Sequence, residues 1–150
     1  MQLAIEKAEE NIAAGKGGPF GAVVVKDGKI IAAVGNRVTS TNDPTAHAEV
    51  VAIREACKVL ETFDLAGCEI YASCEPCPMC LGAIMWARID KLYYAADRTD
   101  ASRAGFDDEH FYSELTLPFE KRTLKPTQML QREANMVFDK WIEDSTKIPY

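Results

Sequence analysis

Apolar positions change their period along this chain, and each change marks an element. Apolar Leu3, Ile5, Ala8 and Ile12 recur through an alanine-rich run, which predicts a helix over residues 3–14. Gly15, Gly17, Gly18 and Pro19 end it. Ala22 to Val25 is a short apolar run, and Lys29 to Val34 is a second. Asp27-Gly28 between them is a tight-turn signal, so the two pair as an antiparallel hairpin. Asn42 to Thr45 is turn-like, with Asp43 or Thr45 placed to cap a helix and Pro44 suited to an early helical position. Val50, Ile53, Cys57 and Leu60 then recur at helical spacing. Glu69 to Ser73 predicts a third strand, Pro76-Cys77 the start of a helix reaching about Arg88, and Lys91 to Ala95 a fourth strand. Residues 97–122 carry no readable period. Leu124 to Leu130 predicts a fifth strand, which Pro126 confines to an edge or a bulge. Ala134, Val137, Phe138, Trp141 and Ile142 form the apolar stripe of a last helix.

Strands separated by helices at this density predict an α/β domain, helices packed on a sheet, and the Asp27-Gly28 hairpin makes that sheet mixed. A chain of 150 residues without repeats or linkers fits one domain, 1–150, with a real core. No apolar run is long enough to span a bilayer. Met1-Gln-Leu-Ala-Ile-Glu lacks the charged-then-apolar order of a signal peptide, so a cytosolic location is expected. The formal net charge is −6, which disfavours a nucleic-acid partner and leaves a small neutral ligand open.

Cysteine usage changes the picture. Three of the five cysteines crowd between Cys74 and Cys80. Without a secretion signal, that clustering reads as metal binding in a reducing compartment. His47, Cys77 and Cys80 have the spacing of a zinc site, and Glu49 follows the histidine by two residues. Cys77 and Cys80 lie three apart at a helix start, where unpaired backbone N–H groups and the helix dipole favour thiolate over thiol. His47 falls at the start of its own helix, so the metal is expected to bridge two helix N-termini. His47 and Glu49 serve one site only if it lies at that helix end, because residues two apart on a helix do not face the same way.

One imidazole and two thiolates leave a tetrahedral zinc one position for water. Zinc so held lowers the pKa of its water from about 15.7 to roughly 7. Glu49 is then the proton shuttle for hydrolysis of an amine from an sp² ring carbon. The bland reading stays beside it. A C-x-x-C pair alone is often half of a structural site, and Cys74 as a fourth ligand would close a Cys₃His binding module. Cys57 and Cys68 read as buried thiols.

The segments G-G-P-F-G-A-V-V-V (Gly17 to Val25), N-D-P-T-A-H-A-E-V (Asn42 to Val50) and S-C-E-P-C-P-M-C-L-G-A (Ser73 to Ala83) resemble the cytidine deaminase superfamily. A-G-F-D-D (Ala104 to Asp108) and the terminal Tyr150 are similar to its bacterial guanine deaminase branch. The resemblance implies a three-layer α/β/α fold with a five-stranded mixed sheet and one Zn²⁺ on His47, Cys77 and Cys80. It implies conversion of guanine to xanthine and ammonia by attack at C2, with Glu49 as shuttle. Asn36 would hydrogen-bond the purine, Asp108 would meet its amino group, Phe20 and Trp86 would line the pocket, and Tyr150 would close it. It further implies a homodimer in which the C-terminal segment, about 128–150, exchanges between copies through a connection at residues 116–127. The rivals are a tRNA adenosine deaminase and a deaminase of cytosine, cytidine or guanosine.

Overall fold

A computed structural model describes all 150 residues, which form two compact units, Met1–Tyr112 and Ser113–Tyr150. In the first unit, helix α1 (Gln2–Ala13) is followed by strands β1 (Gly21–Lys26) and β2 (Lys29–Gly35). A four-residue helix α2 (Val38–Thr41) leads to α3 (Ala48–Leu60). Then come β3 (Cys68–Cys74), α4 (Pro78–Trp86), β4 (Lys91–Ala96), α5 (Arg98–Arg103) and the start of α6 (Asp108–Thr116).

The sheet has four strands in the order β2-β1-β3-β4. β1 runs antiparallel to both neighbours, and β3 pairs with β4 in parallel across α4, so the sheet is mixed as the hairpin required. At that hairpin Asp27 and Gly28 both take positive φ, 50° and 73°, the pair of angles a two-residue turn between twisted strands needs. The expected fifth strand is absent: residues 122–130 form no ladder. Pro126 lacks a donor there, and Lys125, Thr127 and Gln128 offer no apolar face to bury.

Alternation along β1 sorts the two faces. Ala22 and Val24 join Ala48, Ala52 and Ala56 of α3, Ile70 of β3 and Ile84 of α4 in the main core. Small alanines let α3 lie close to the sheet, and Leu65 and Ile70 supply the bulk, both fully buried. α1 covers the other face. It approaches so closely that a Cβ on Gly21 would stand 2.2 Å from the Ala4 carbonyl oxygen and 2.7 Å from the Ala8 nitrogen. Helix α1, the sheet, and the pair α3 and α4 are three layers.

Helix α3 starts later than expected. Asp43 and Thr45 do not cap it, because Asp43 Oδ1 accepts from the Thr45 N–H at 2.8 Å and from the Thr45 hydroxyl at 2.6 Å. The Asp43 side chain is spent on a local turn, and the N-cap falls on His47.

In the second unit, Glu114 accepts from the Thr123 N–H at 2.8 Å and Arg122 Nε donates to the Leu117 carbonyl at 2.8 Å. Helix α7 (Gln131–Glu143) is amphipathic, and Val137, Phe138, Trp141 and Ile142 of its apolar stripe are exposed.

Candidate active site

Two helix starts carry the metal ligands. His47 is the N-cap of α3, with φ −62° and ψ 155°. Cys77 is the N-cap of α4, with nearly the same backbone and Pro78 inside the helix start. Neither side chain makes a cap hydrogen bond to its own helix. Cys80 is the third residue of α4 and fully buried. The ligating atoms of His47, Cys77 and Cys80 all lie within 4.8 Å of one another.

This donor set fits zinc. His47 Nδ1 is 3.6 Å from Cys77 Sγ. Two such donors at zinc bond lengths of about 2.0 and 2.3 Å and a tetrahedral angle stand roughly 3.5 Å apart, close to that separation. Cys74 does not complete the set. It ends β3, and its Sγ donates to the Asp97 carbonyl at 3.5 Å. Burial pushes its thiol up to about 11. The closed Cys₃His reading therefore fails on geometry.

Charge at the ligands follows from their contacts. The hydrogen bond from Cys80, then that of His47, brings the Cys77 thiol down to about 4. Cys80 moves in the opposite direction because it shares its proton with that thiolate and is buried. The Cys77 hydrogen bond raises His47. A ready thiolate is what a metal requires of cysteine.

Glu49 is the second residue of α3 and is buried, 6% exposed. Its Oε2 accepts from Cys80 Sγ at 3.5 Å. Burial pushes its carboxyl up to about 7, the range in which one group both takes and returns a proton at neutral pH. His47 and Glu49 meet one site because the histidine precedes the helix and the glutamate is only two residues beyond it.

A cavity of about 220 Å³ is lined by His47, Glu49 and Cys77 together with Phe20, Asn36 and Asp108. Asn36 is buried, and its Oδ1 accepts the Val38 N–H at 3.0 Å. It is a turn residue as well as a wall residue, and the turn commits the oxygen. The Nδ2 donors remain for a ligand. Asp108 opens α6, and burial, then the Cys77 charge, raises its carboxyl. The ring of Phe20 packs against the core and meets Phe106 edge-on, with centroids 4.7 Å apart at 76°.

Two expected residues stand differently. Trp86 does not line this cavity: it ends α4 at 64% exposure. Six residues beyond Cys80, it has turned through about 600° and looks away from the ligand face. Tyr150 ends the second unit and is 76% exposed. Sequence reasoning also missed lining residues. Glu75 and Phe106 lie inside S-C-E-P-C and A-G-F-D-D, where the signal was present. Val38 and Thr39 lie on α2, too short to show a period.

Residues 1–96 match the profile of the cytidine and deoxycytidylate deaminase zinc-binding region. The chain is 53% identical over 150 residues to a guanine deaminase of Bacillus subtilis, covering 100% of this chain and 96% of that protein. The X-ray structure of that organism's guanine deaminase superposes with a TM-score of 0.95 at 54% identity, covering 99% of this chain and 95% of the other. A tRNA-specific adenosine deaminase of Aquifex aeolicus is 44% identical over 96 residues, 64% of this chain and 63% of that one. With the zinc ligands, the buried glutamate and the matched region all coinciding, the chain belongs to the cytidine and deoxycytidylate deaminase family of zinc-binding enzymes.

Proposed function

We propose that this protein is a zinc-dependent guanine deaminase: guanine and water give xanthine and ammonia. The observation that carries guanine over the rivals is similarity across the whole chain to a guanine deaminase, against a match over 96 residues to the tRNA-specific relative. The formal charge of −6 supports the same choice, because a phosphate backbone would be repelled.

Zinc held by His47, Cys77 and Cys80 supplies an activated water at neutral pH. The chain's own residues do the rest. Glu49 takes one proton of the water as C2 is attacked and passes it to the ring nitrogen, then carries the second, from the new hydroxyl, to the departing amine as the carbonyl forms. Asp108 accepts from the amino group and helps it leave as ammonia. Asn36 Nδ2 donates to a purine acceptor, since its oxygen is held by Val38. Phe20 and Phe106 bound the flat ring. A cavity of about 220 Å³ supports a single base as the ligand.

The chain works as one deaminase domain, a cytosolic homodimer serving purine catabolism or salvage, in which residues 128–150 exchange between copies and Tyr150 closes the cavity. Exposure of the apolar stripe on α7 supports an exchanged helix, because such a stripe is normally covered. A solution mass showing monomer alone would refute the exchange. No helix is long and apolar enough to cross a membrane. The function itself is tested by ammonia release from guanine, guanosine, adenine, cytosine and cytidine. Guanine alone should give rapid release; release only from a tRNA substrate would overturn the reading.

A further inference from the structure

Asp108 stands at the cavity, yet little packing holds it there. Its helix α6 has nine residues and none is buried. The chain reaches it through a turn at Gly105, whose φ of 92° suits glycine. What fixes it is polar. Tyr112 lies four residues on, one turn along the same helix face. Its hydroxyl donates to the Pro76 carbonyl at 2.8 Å, and Pro76 directly precedes the ligand Cys77.

A second link runs parallel to the first. The Arg98 guanidinium lies 4.7 Å from the centre of the Tyr112 ring. The Arg98 N–H donates to Glu75 Oε2 at 3.1 Å, and Arg98 Nε is 4.0 Å from the same oxygen. Glu75 is not simply the cap of α5, which has a capping box of its own in Asp97 and Asp100. Glu75 in turn donates its N–H to the Ala96 carbonyl at 2.8 Å, which anchors it to the end of β4. All these groups belong to the first unit.

We propose that Tyr112, backed by Arg98 and Glu75, is a positioning residue that ties α6 to the Glu75–Cys77 loop and so sets the distance between Asp108 and the metal ligands. The proposal deepens the functional reading above and rests on it for the role of Asp108. Tyr112 does not line the cavity. It acts by holding a carboxylate in register with the atom it serves, and misplacement by about 1 Å at such a group costs up to 10²-fold in rate.

The test is Tyr112→Phe in the zinc-loaded full chain, which removes one hydroxyl and keeps the ring under Arg98. Turnover of guanine should fall about ten-fold while KM moves less than about three-fold, with zinc content unchanged. In an Asp108→Asn background the same change should lower kcat by less than about two-fold, because the group it positions is already gone. Backbone amides of residues 106–112 should exchange hydrogen faster than in the parent protein. Equal losses in both backgrounds, or exchange and kcat both unchanged, overturn the proposal. Should Tyr112→Phe fail to fold, Arg98→Met, which keeps the backbone donor to Glu75, takes its place with the same expected pattern. If the parent protein does not act on guanine, the functional reading fails, and the exchange measurement alone decides whether Tyr112 holds α6.

Discussion

Cys80 Sγ donates to Glu49 Oε2 at 3.5 Å, so a metal ligand and the acid beside it are in direct contact. The pairing gives Glu49 two distinguishable properties, proton transfer and occupancy of a buried position. Glu49→Gln keeps the volume and an acceptor oxygen but cannot shuttle a proton. It should retain zinc at the parental level and lose about 10²–10⁴-fold in turnover. Metal analysis beside steady-state kinetics checks this, and near-normal turnover would contradict the role of Glu49.

Burial of that carboxyl also gives stability a definite pH dependence. Its value is raised from an ordinary 4.5 to about 7, so the folded chain binds more protons than the unfolded chain between those limits. Stability from this group therefore falls as pH rises from 4.5 to 7. After removal of zinc with a chelator, Glu49→Gln should be the more stable protein at pH 8, by up to about 3 kcal/mol. The advantage should vanish near pH 4. Urea unfolding at several pH values measures it, and a gain that does not change with pH would contradict the account.

Asn36 separates fold from recognition. Asn36→Asp keeps the oxygen that accepts from Val38 but removes the Nδ2 donors. KM for guanine should rise by at least about ten-fold, the cost of one lost hydrogen bond in a closed site. Asn36→Ala loses the turn as well and should in addition unfold about 1 kcal/mol more easily. An Asp variant with the parental KM would show that Nδ2 does not meet the base.

Two glycines should respond in opposite directions. A Cβ at Gly21 would press on the Ala4 carbonyl at 2.2 Å, so Gly21→Ala should destabilise by about 1–3 kcal/mol as α1 is pushed off the sheet. Gly82 lies inside α4 with nothing within 4 Å of its would-be Cβ. Gly82→Ala should stabilise by about 0.4–1 kcal/mol, because alanine costs less chain entropy in a helix. Urea midpoints of the two variants decide both.

Legibility of the sequence depended on how much of each signal was local. The hairpin was readable because Asp27-Gly28 fixes a turn by backbone angle alone. α3 and α7 were readable because four or more apolar positions repeat in them. α2 and α5 were not: with four and six residues, neither spans enough turns to show a period. Leu124 to Leu130 imitated a strand by composition, yet strand formation needs a neighbour, which composition does not report. The ligands were readable because Cys77 and Cys80 share one helix start and His47 heads another. Glu75 and Phe106 reach the cavity only through the crossing of β3, α5 and α6. Trp86 was misplaced for a related reason, since its membership in α4 says nothing of which side it faces until the helix phase is counted from Cys80.

The most direct test of the whole account is ammonia release from guanine by the purified protein, with zinc content measured on the same sample. The expected result is one zinc per chain, rapid release from guanine, and loss of release when His47→Ala removes the metal. Full turnover of guanine by a zinc-free sample, or a zinc-loaded sample inert toward guanine, would contradict it.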